Sequence, residues 1–113
     1  MLASYLNNLT ANTSMLFMRT FRKGKEKIVA VCDAELIGKV LREGELVLNL
    51  EKYASFYQGE QADDATVEKE LLTATSINLV GKKATGIAKR MKLVKESDLV
   101  TVQKVPHVQV YRI

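Results

Sequence analysis

Cys32 and His107 are the single cysteine and the single histidine of the chain, and they are the obvious pair for nucleophilic chemistry. A cysteine attacks as its thiolate, which requires a nearby base or a positive surrounding, and His107 is the one imidazole available for that role. Asp33, Glu35 and Glu43 could add carboxylates for acid–base work. Each of these residues also has a plainer structural use. Cys32 closes the apolar run Val29–Val31, where a small buried hydrophobe is expected. Asp33 stands where a helix cap belongs, and Glu35 and Glu43 read as solvated charges at helix ends. His107 follows the only proline of the chain and reads as a turn or packing residue. One cysteine and one histidine cannot complete the four-ligand set of a structural zinc site. Gly38-Lys39, Gly44 and Gly81-Lys82 lack the spacing of a phosphate-cradling loop or a dinucleotide fingerprint. No catalytic residue, metal or cofactor is therefore assigned, and an enzyme built around Cys32 and His107 stays as an alternative.

Charge carries more information than these candidate catalytic groups. Between Leu71 and Lys95 there are six cations (Lys82, Lys83, Lys89, Arg90, Lys92 and Lys95) and no anion, whereas Ile28 to Glu70 holds ten carboxylates against four cations. A local field of one sign can act on a polyanion even when the net charge is only +4. On a helical wheel Ile77, Val80, Ala84, Ile87, Ala88 and Met91 share one arc and the cations lie around the remaining sides. The residue types fit phosphate contact by Lys82, Lys83, Lys89 and Arg90, with Asn78 as a polar group at the start of the same helix and Arg22, Lys23 and Lys25 extending the contact. The same cations would also suit a solvated helix face neutralised by the acidic segment.

These side chains need elements to hold them. Leu16–Phe21 and Lys27–Cys32 are β-rich runs with a glycine between them, which predicts an antiparallel hairpin. Asp33 is expected to cap a short helix carrying Leu36, Ile37, Val40 and Leu41 on one face, ended by Gly44, with Gly38 as its weak point. Leu46, Leu48 and Leu50 alternate as a third strand, and Tyr53, Phe56 and Tyr57 suit one helical turn. Asp63-Asp64 opens a helix with Val67, Leu71 and Ala74 inward. Thr75-Ser76 is the expected junction to a second helix reaching about Leu93. Leu99–Val105 and His107–Arg112 alternate around Pro106, as a bent edge strand or as two strands meeting at a turn. The predicted fold class is α+β, with a small mixed or antiparallel sheet of about five strands packed against two to four helices. Ile28, Val29, Val31, Leu36, Val80, Ile87 and Met91 are the predicted core.

A chain of 113 residues fits a single domain. Residues 15–113 are assigned to it. Residues 1–14 lack lysine, arginine and a continuous apolar run, so they match neither a signal peptide nor a membrane span. They are expected to form a flexible extension, with Met15 or Met18 as an alternative start. The expected location is the cytoplasm, with no membrane contact.

Three strings add a resemblance. Val29-Ala30-Val31-Cys32-Asp33-Ala34-Glu35-Leu36-Ile37-Gly38-Lys39, followed by Arg42-Glu43-Gly44-Glu45, resembles the N-terminal signature of an archaeal family catalogued as domain of unknown function 424. Asn78-Leu79-Val80-Gly81-Lys82 and Val105-Pro106-His107 are similar to its two later motifs. The resemblance spans roughly Met15 to Ile113 and implies a small archaeal cytosolic α+β protein with an involvement in translation. It brings no catalytic residues. The combined reading is a non-catalytic RNA-associated factor, with RNA or a ribosomal particle as partner. Few aromatics point to backbone or shape recognition over base stacking. A protein-interaction module or homodimer using the segregated charge is the alternative.

Overall fold

Alternating side chains along two neighbouring strands give the molecule its two sides. The computed structural model describes residues 15–112; the expectations for residues 1–14 and for the start site lie outside them. Strand β1 (Leu16–Lys23) and strand β2 (Glu26–Asp33) form the predicted hairpin, in register from Leu16↔Asp33 to Lys23↔Glu26. Along β2, Val29 and Val31 point to one face, and Ala30 and Cys32 to the other. A 3₁₀ turn (Ala34–Leu36) follows, then a second hairpin of β3 (Val40–Glu43) and β4 (Leu46–Asn49). The chain continues through a single-turn helix α1 (Ala54–Tyr57), β5 (Glu60–Ala62), helix α2 (Asp64–Leu72), β6 (Ser76–Val80), helix α3 (Lys82–Arg90), a 3₁₀ turn (Glu96–Asp98), β7 (Val100–Val102) and β8 (Val105–Tyr111).

The main sheet has six strands in the order β5-β1-β2-β6-β8-β7, and β3-β4 form a separate two-stranded sheet. Only the β2–β6 pairing is parallel, so the sheet is mixed. Joining two parallel neighbours needs a long crossover, and here everything from the β3–β4 hairpin to α2 lies within it. Helices α2 and α3 cover one face, where Leu16, Val29, Val31, Val67, Leu71, Ile77, Leu79 and Ile87 are buried together. The opposite face carries the β3–β4 hairpin and α1, with Cys32, Leu36, Leu48, Leu50, Tyr57, Val80 and Val102 in its core.

Three local expectations are corrected. The helix expected after Asp33 is a single 3₁₀ turn without a side-chain cap, because Gly38 takes φ 92° and Val40 and Leu41 pair instead with Asn49 and Leu48. The helix expected from Ile77 begins at Lys82. Ile77 to Val80 form a strand between β2 and β8, where β-branched residues suit a pleated surface buried on both sides. Pro106 lies inside β8, and the tight turn falls at Gln103 and Lys104, with φ 50° and 66°, the left-handed pair of a two-residue hairpin. The β6–β8 pairing runs from His107 to Tyr111, so the proline stands just past its end. Of the predicted core, Val29, Val31, Leu36, Val80 and Ile87 are buried. Ile28 and Met91 are only half-buried.

Candidate functional site

The residue that positions the basic helix is Asp33. Its carboxylate accepts hydrogen bonds from the backbone amides of Lys83 (3.1 Å) and Ala84 (2.9 Å), fifty residues or more along the chain. It therefore caps α3 by tertiary contact and leaves the local turn uncapped. Gly81 permits this approach. Its φ of 108° suits glycine, and a Cβ there would collide with the Asp33 carboxyl group. Burial pushes the Asp33 carboxyl above the ordinary carboxylate range, against the pull of the two amides.

The predicted cations do not form one continuous face. Lys82, Lys83, Lys89 and Arg90 are on α3. Lys89 pairs with Glu96 at 2.8 Å and Arg90 with Asp64 at 3.2 Å. Arg22, Lys23 and Lys25 surround the β1–β2 turn. That turn is at the end of the strands remote from Gly81, since β2 and β6 run parallel from Ile28↔Ser76 to Cys32↔Val80. Asn78 is in the middle of β6, paired with Gln109. It faces away from α3, so its expected place at the start of that helix is corrected.

Between α3 and the β7–β8 hairpin lies a groove of about 320 Å³, lined among others by Lys82, Lys89, Lys104, Thr85, Thr101 and Glu96. Lys104 lies outside the basic stretch of the sequence. It joins the groove because the turn closes at Gln103-Lys104. Gln103 is held there by its backbone amide to Glu43 (2.6 Å) and its side-chain amide to the Arg42 carbonyl (2.8 Å).

The opposite face opens into a cleft of about 420 Å³. Asn78, His107 and Gln109 form its sheet-side wall; β4 contributes Val47, Leu48 and Asn49, and the segment through α1 contributes Tyr53, Phe56 and Tyr57. Asn49 shapes this wall, its side-chain oxygen accepting from the amides of Glu51 (3.2 Å) and Lys52 (2.8 Å). Phe56 stacks on Phe21 with centroids 5.1 Å apart and meets Tyr57 edge-on at the same distance. The Arg19 guanidinium lies 4.6 Å from the Phe21 ring centre and donates to the Ser55 carbonyl. Lys52 lies 5.4 Å from the ring centre of Tyr53. Burial lowers the His107 pKa from its ordinary 6.5, and pushes the Tyr57 phenol up to about 12, with Cys32 a lesser cause. Both are thus neutral near pH 7. Sequence reasoning missed this cleft. The signal available was polar Asn78, His107 and Gln109 at alternating positions of otherwise apolar strands.

Cys32 and His107 do not meet. They occupy one row across the sheet with Val80 between them, which puts their backbones roughly 9–10 Å apart at ordinary strand spacing. The thiol is buried, bonds to the Asp33 carbonyl at 3.3 Å, and has its pKa pushed up to about 12 by burial, then by Asp33 and Glu35. Among the described residues no thiolate-stabilising partner is in place. Among the described residues no cluster of three or more metal-ligating side chains occurs. None of their helices is long and apolar enough to cross a membrane.

A six-stranded mixed sheet with two helices on one face and a hairpin with a single-turn helix on the other defines the class of α+β domain. The chain belongs to the family described as Protein of unknown function (DUF424), whose model matches residues 21–113. The fold is similar to that of an uncharacterized conserved protein from Methanopyrus kandleri, with a TM-score of 0.74 at 23% identity, over 88% of this chain and 92% of that one. At that identity the likeness is one of fold. No curated protein matches the chain.

Proposed function

We propose that this protein is a non-catalytic RNA-associated factor that takes a phosphate backbone along the groove between α3 and the β7–β8 hairpin, on free RNA or on a ribosomal particle. The observation that supports this reading is the convergence of Lys82, Lys89 and Lys104 with the Thr101 and Thr85 side chains on one groove with a single lining carboxylate, Glu96. The Lys89–Glu96 pair does not argue against it. Its side chains are 40% and 79% exposed, and exposed pairs contribute only about 0.2–1 kcal/mol. A phosphate can replace the carboxylate at little cost.

The contact set differs from the one expected from sequence. Lys104 enters, Asn78 leaves, and Arg22, Lys23 and Lys25 form a separate basic end. Binding to single-stranded and structured RNA should weaken with salt, with a log–log slope of about −2 to −3 for three or four phosphates. The double variant Lys82→Glu/Lys104→Glu should lose most of that binding while melting at nearly the parent temperature. Arg22→Glu/Lys23→Glu should lose much less. Undetectable or salt-insensitive RNA binding would reject this reading. If it came with a mass that rises with concentration, the segregated charge would be assigned to self-association.

A further inference from the structure

We infer that the cleft on the hairpin face binds a small, uncharged, planar heterocycle of the nucleobase kind. The inference does not rest on the RNA reading, because this cleft opens on the face of the sheet opposite α3. Its volume of about 420 Å³ is in the range of small-ligand pockets, which combine apolar walls with a few convergent polar groups. Here the convergent groups are Asn78, Gln109 and His107. Asn78 and Gln109 are direct cross-strand partners, and His107 is two residues from Gln109 on the same face of β8. Ordinary strand geometry therefore sets these side chains roughly 5 and 7 Å apart.

Their chemistry narrows the ligand. Each amide offers donors and an acceptor, and a neutral imidazole offers one of each. Among the described residues, none of the three side chains has a hydrogen-bond partner. A purely apolar ligand would bury these groups unpaired, at about 1–3 kcal/mol each. A phosphate or carboxylate would enter a cleft with no cation among its lining residues and would exchange its hydration for a few uncharged donors with no opposite charge to pair with. A flat ring with donors and acceptors on its edge satisfies both conditions. Tyr53, Phe56 and Tyr57 supply faces and edges for stacking, which is tolerant of ring identity. Tyr53 is 52% exposed and Val47 49%, so the mouth of the cleft is open to a ligand.

The ring could belong to a free nucleoside or to an unpaired base within a strand. Calorimetric titration of the full chain with adenosine, guanosine, cytidine and uridine, and with single-stranded RNA hexamers, separates these sources. At least one nucleoside or hexamer should bind saturably. Asn78→Leu/Gln109→Leu should weaken that binding about tenfold or more, the effect of losing one or two hydrogen bonds. Tyr53→Ala should weaken it about fivefold or more, because stacking on one exposed ring is lost. A circular-dichroism melt would establish that each variant is folded. Lys82→Glu/Lys104→Glu should leave nucleoside binding unchanged, which distinguishes this site from the groove. Competition between hexamer and nucleoside would assign the cleft to a base within a strand, and its absence to the free compound. Three results would overturn the inference: no saturable binding of any probe, binding unaffected by both cleft variants, or benzene binding as well as the nucleosides.

Discussion

The two faces of the sheet are made by the same strands, yet they treat polar groups in opposite ways. On the helix face, the buried side chains of Lys27, Asp33 and Thr85 are paired, whereas the Arg112 Nε is buried without a partner among the described residues while another nitrogen of its guanidinium donates to the Leu71 carbonyl. Lys27 bonds the Glu70 carbonyl (3.2 Å) and carboxylate (3.1 Å) and the Thr73 hydroxyl, Asp33 caps α3, and Thr85 bonds the Gly81 carbonyl at 2.8 Å. On the hairpin face, the half-buried Asn78 and His107 and the exposed Gln109 stand beside an aromatic wall without such partners among the described residues. Two nine-residue helices close the first face. The four-residue strands and single-turn helix on the second cover only part of it. The difference teaches that charge by itself is a poor guide to a site in this fold. Lys27, Lys89 and Arg90 are engaged by Glu70, Glu96 and Asp64, whereas the uncharged amides of Asn78 and Gln109 are left available.

The sharpest way to break this comparison is to attack the pairing on the helix face. Gly81→Ala should destabilise by about 3 kcal/mol or more, since it combines a glycine-only backbone conformation with overpacking against Asp33. Asp33→Ala should cost about 2–4 kcal/mol by stranding two amides at the start of α3. Urea denaturation of both variants checks this. A loss below about 1 kcal/mol in each would mean that α3 does not depend on its tertiary cap.

A smaller effect is expected where the helix face is exposed. A double-mutant cycle on Lys89 and Glu96 should give a coupling of about 0.5 kcal/mol, fading with salt. A coupling several times larger would show the pair to be structural, and would count against its exchange for phosphate. The mildest change concerns a single half-buried ring on the other face. The unfolded His107 titrates near its ordinary 6.5, while burial lowers the folded value, so the unfolded chain binds the proton more readily. Stability from this group is full above pH 6.5 and is lost as pH falls through the folded value. His107→Gln should flatten that part of the stability–pH curve. An identical curve for parent and variant would show that the ring is no more buried than in the unfolded chain.

Much of the fold was legible because its signals are local. The β1–β2 hairpin follows from two β-rich runs around Gly24. The start of α2 follows from Asp63, whose carboxylate accepts from the Thr66 amide at 2.9 Å, as an N-cap should. The single turn carrying Phe56 and Tyr57 follows from their spacing. Misreadings came where a local signal had two meanings. Ile77 and Val80 share a helical arc with Ala84 and Ile87, but they also fit a strand buried on both faces. Short apolar runs do not distinguish these by period alone. Asp33 has the chemistry of a cap, but the helix whose amides it meets is α3, not the segment that follows it in sequence.

By itself, the sequence determined the β1–β2 hairpin and its alternation, the start of α2, the absence of an internal disulfide, and the division of the chain into an acidic and a basic stretch. These depend on residues a few positions apart, or on composition. Only the tertiary structure decided that β2 pairs in parallel with β6, that Asp33 reaches α3, that Lys104 joins Lys82 and Lys89, and that Asn78, Gln109 and His107 share a cleft with Tyr53 and Phe56. The first two of these juxtapositions require the long crossover between β2 and β6, and the others bring together side chains from separate elements. Periodicity tells which way a side chain points within its own element, and the element it meets is set by how the whole set of apolar faces can be buried together.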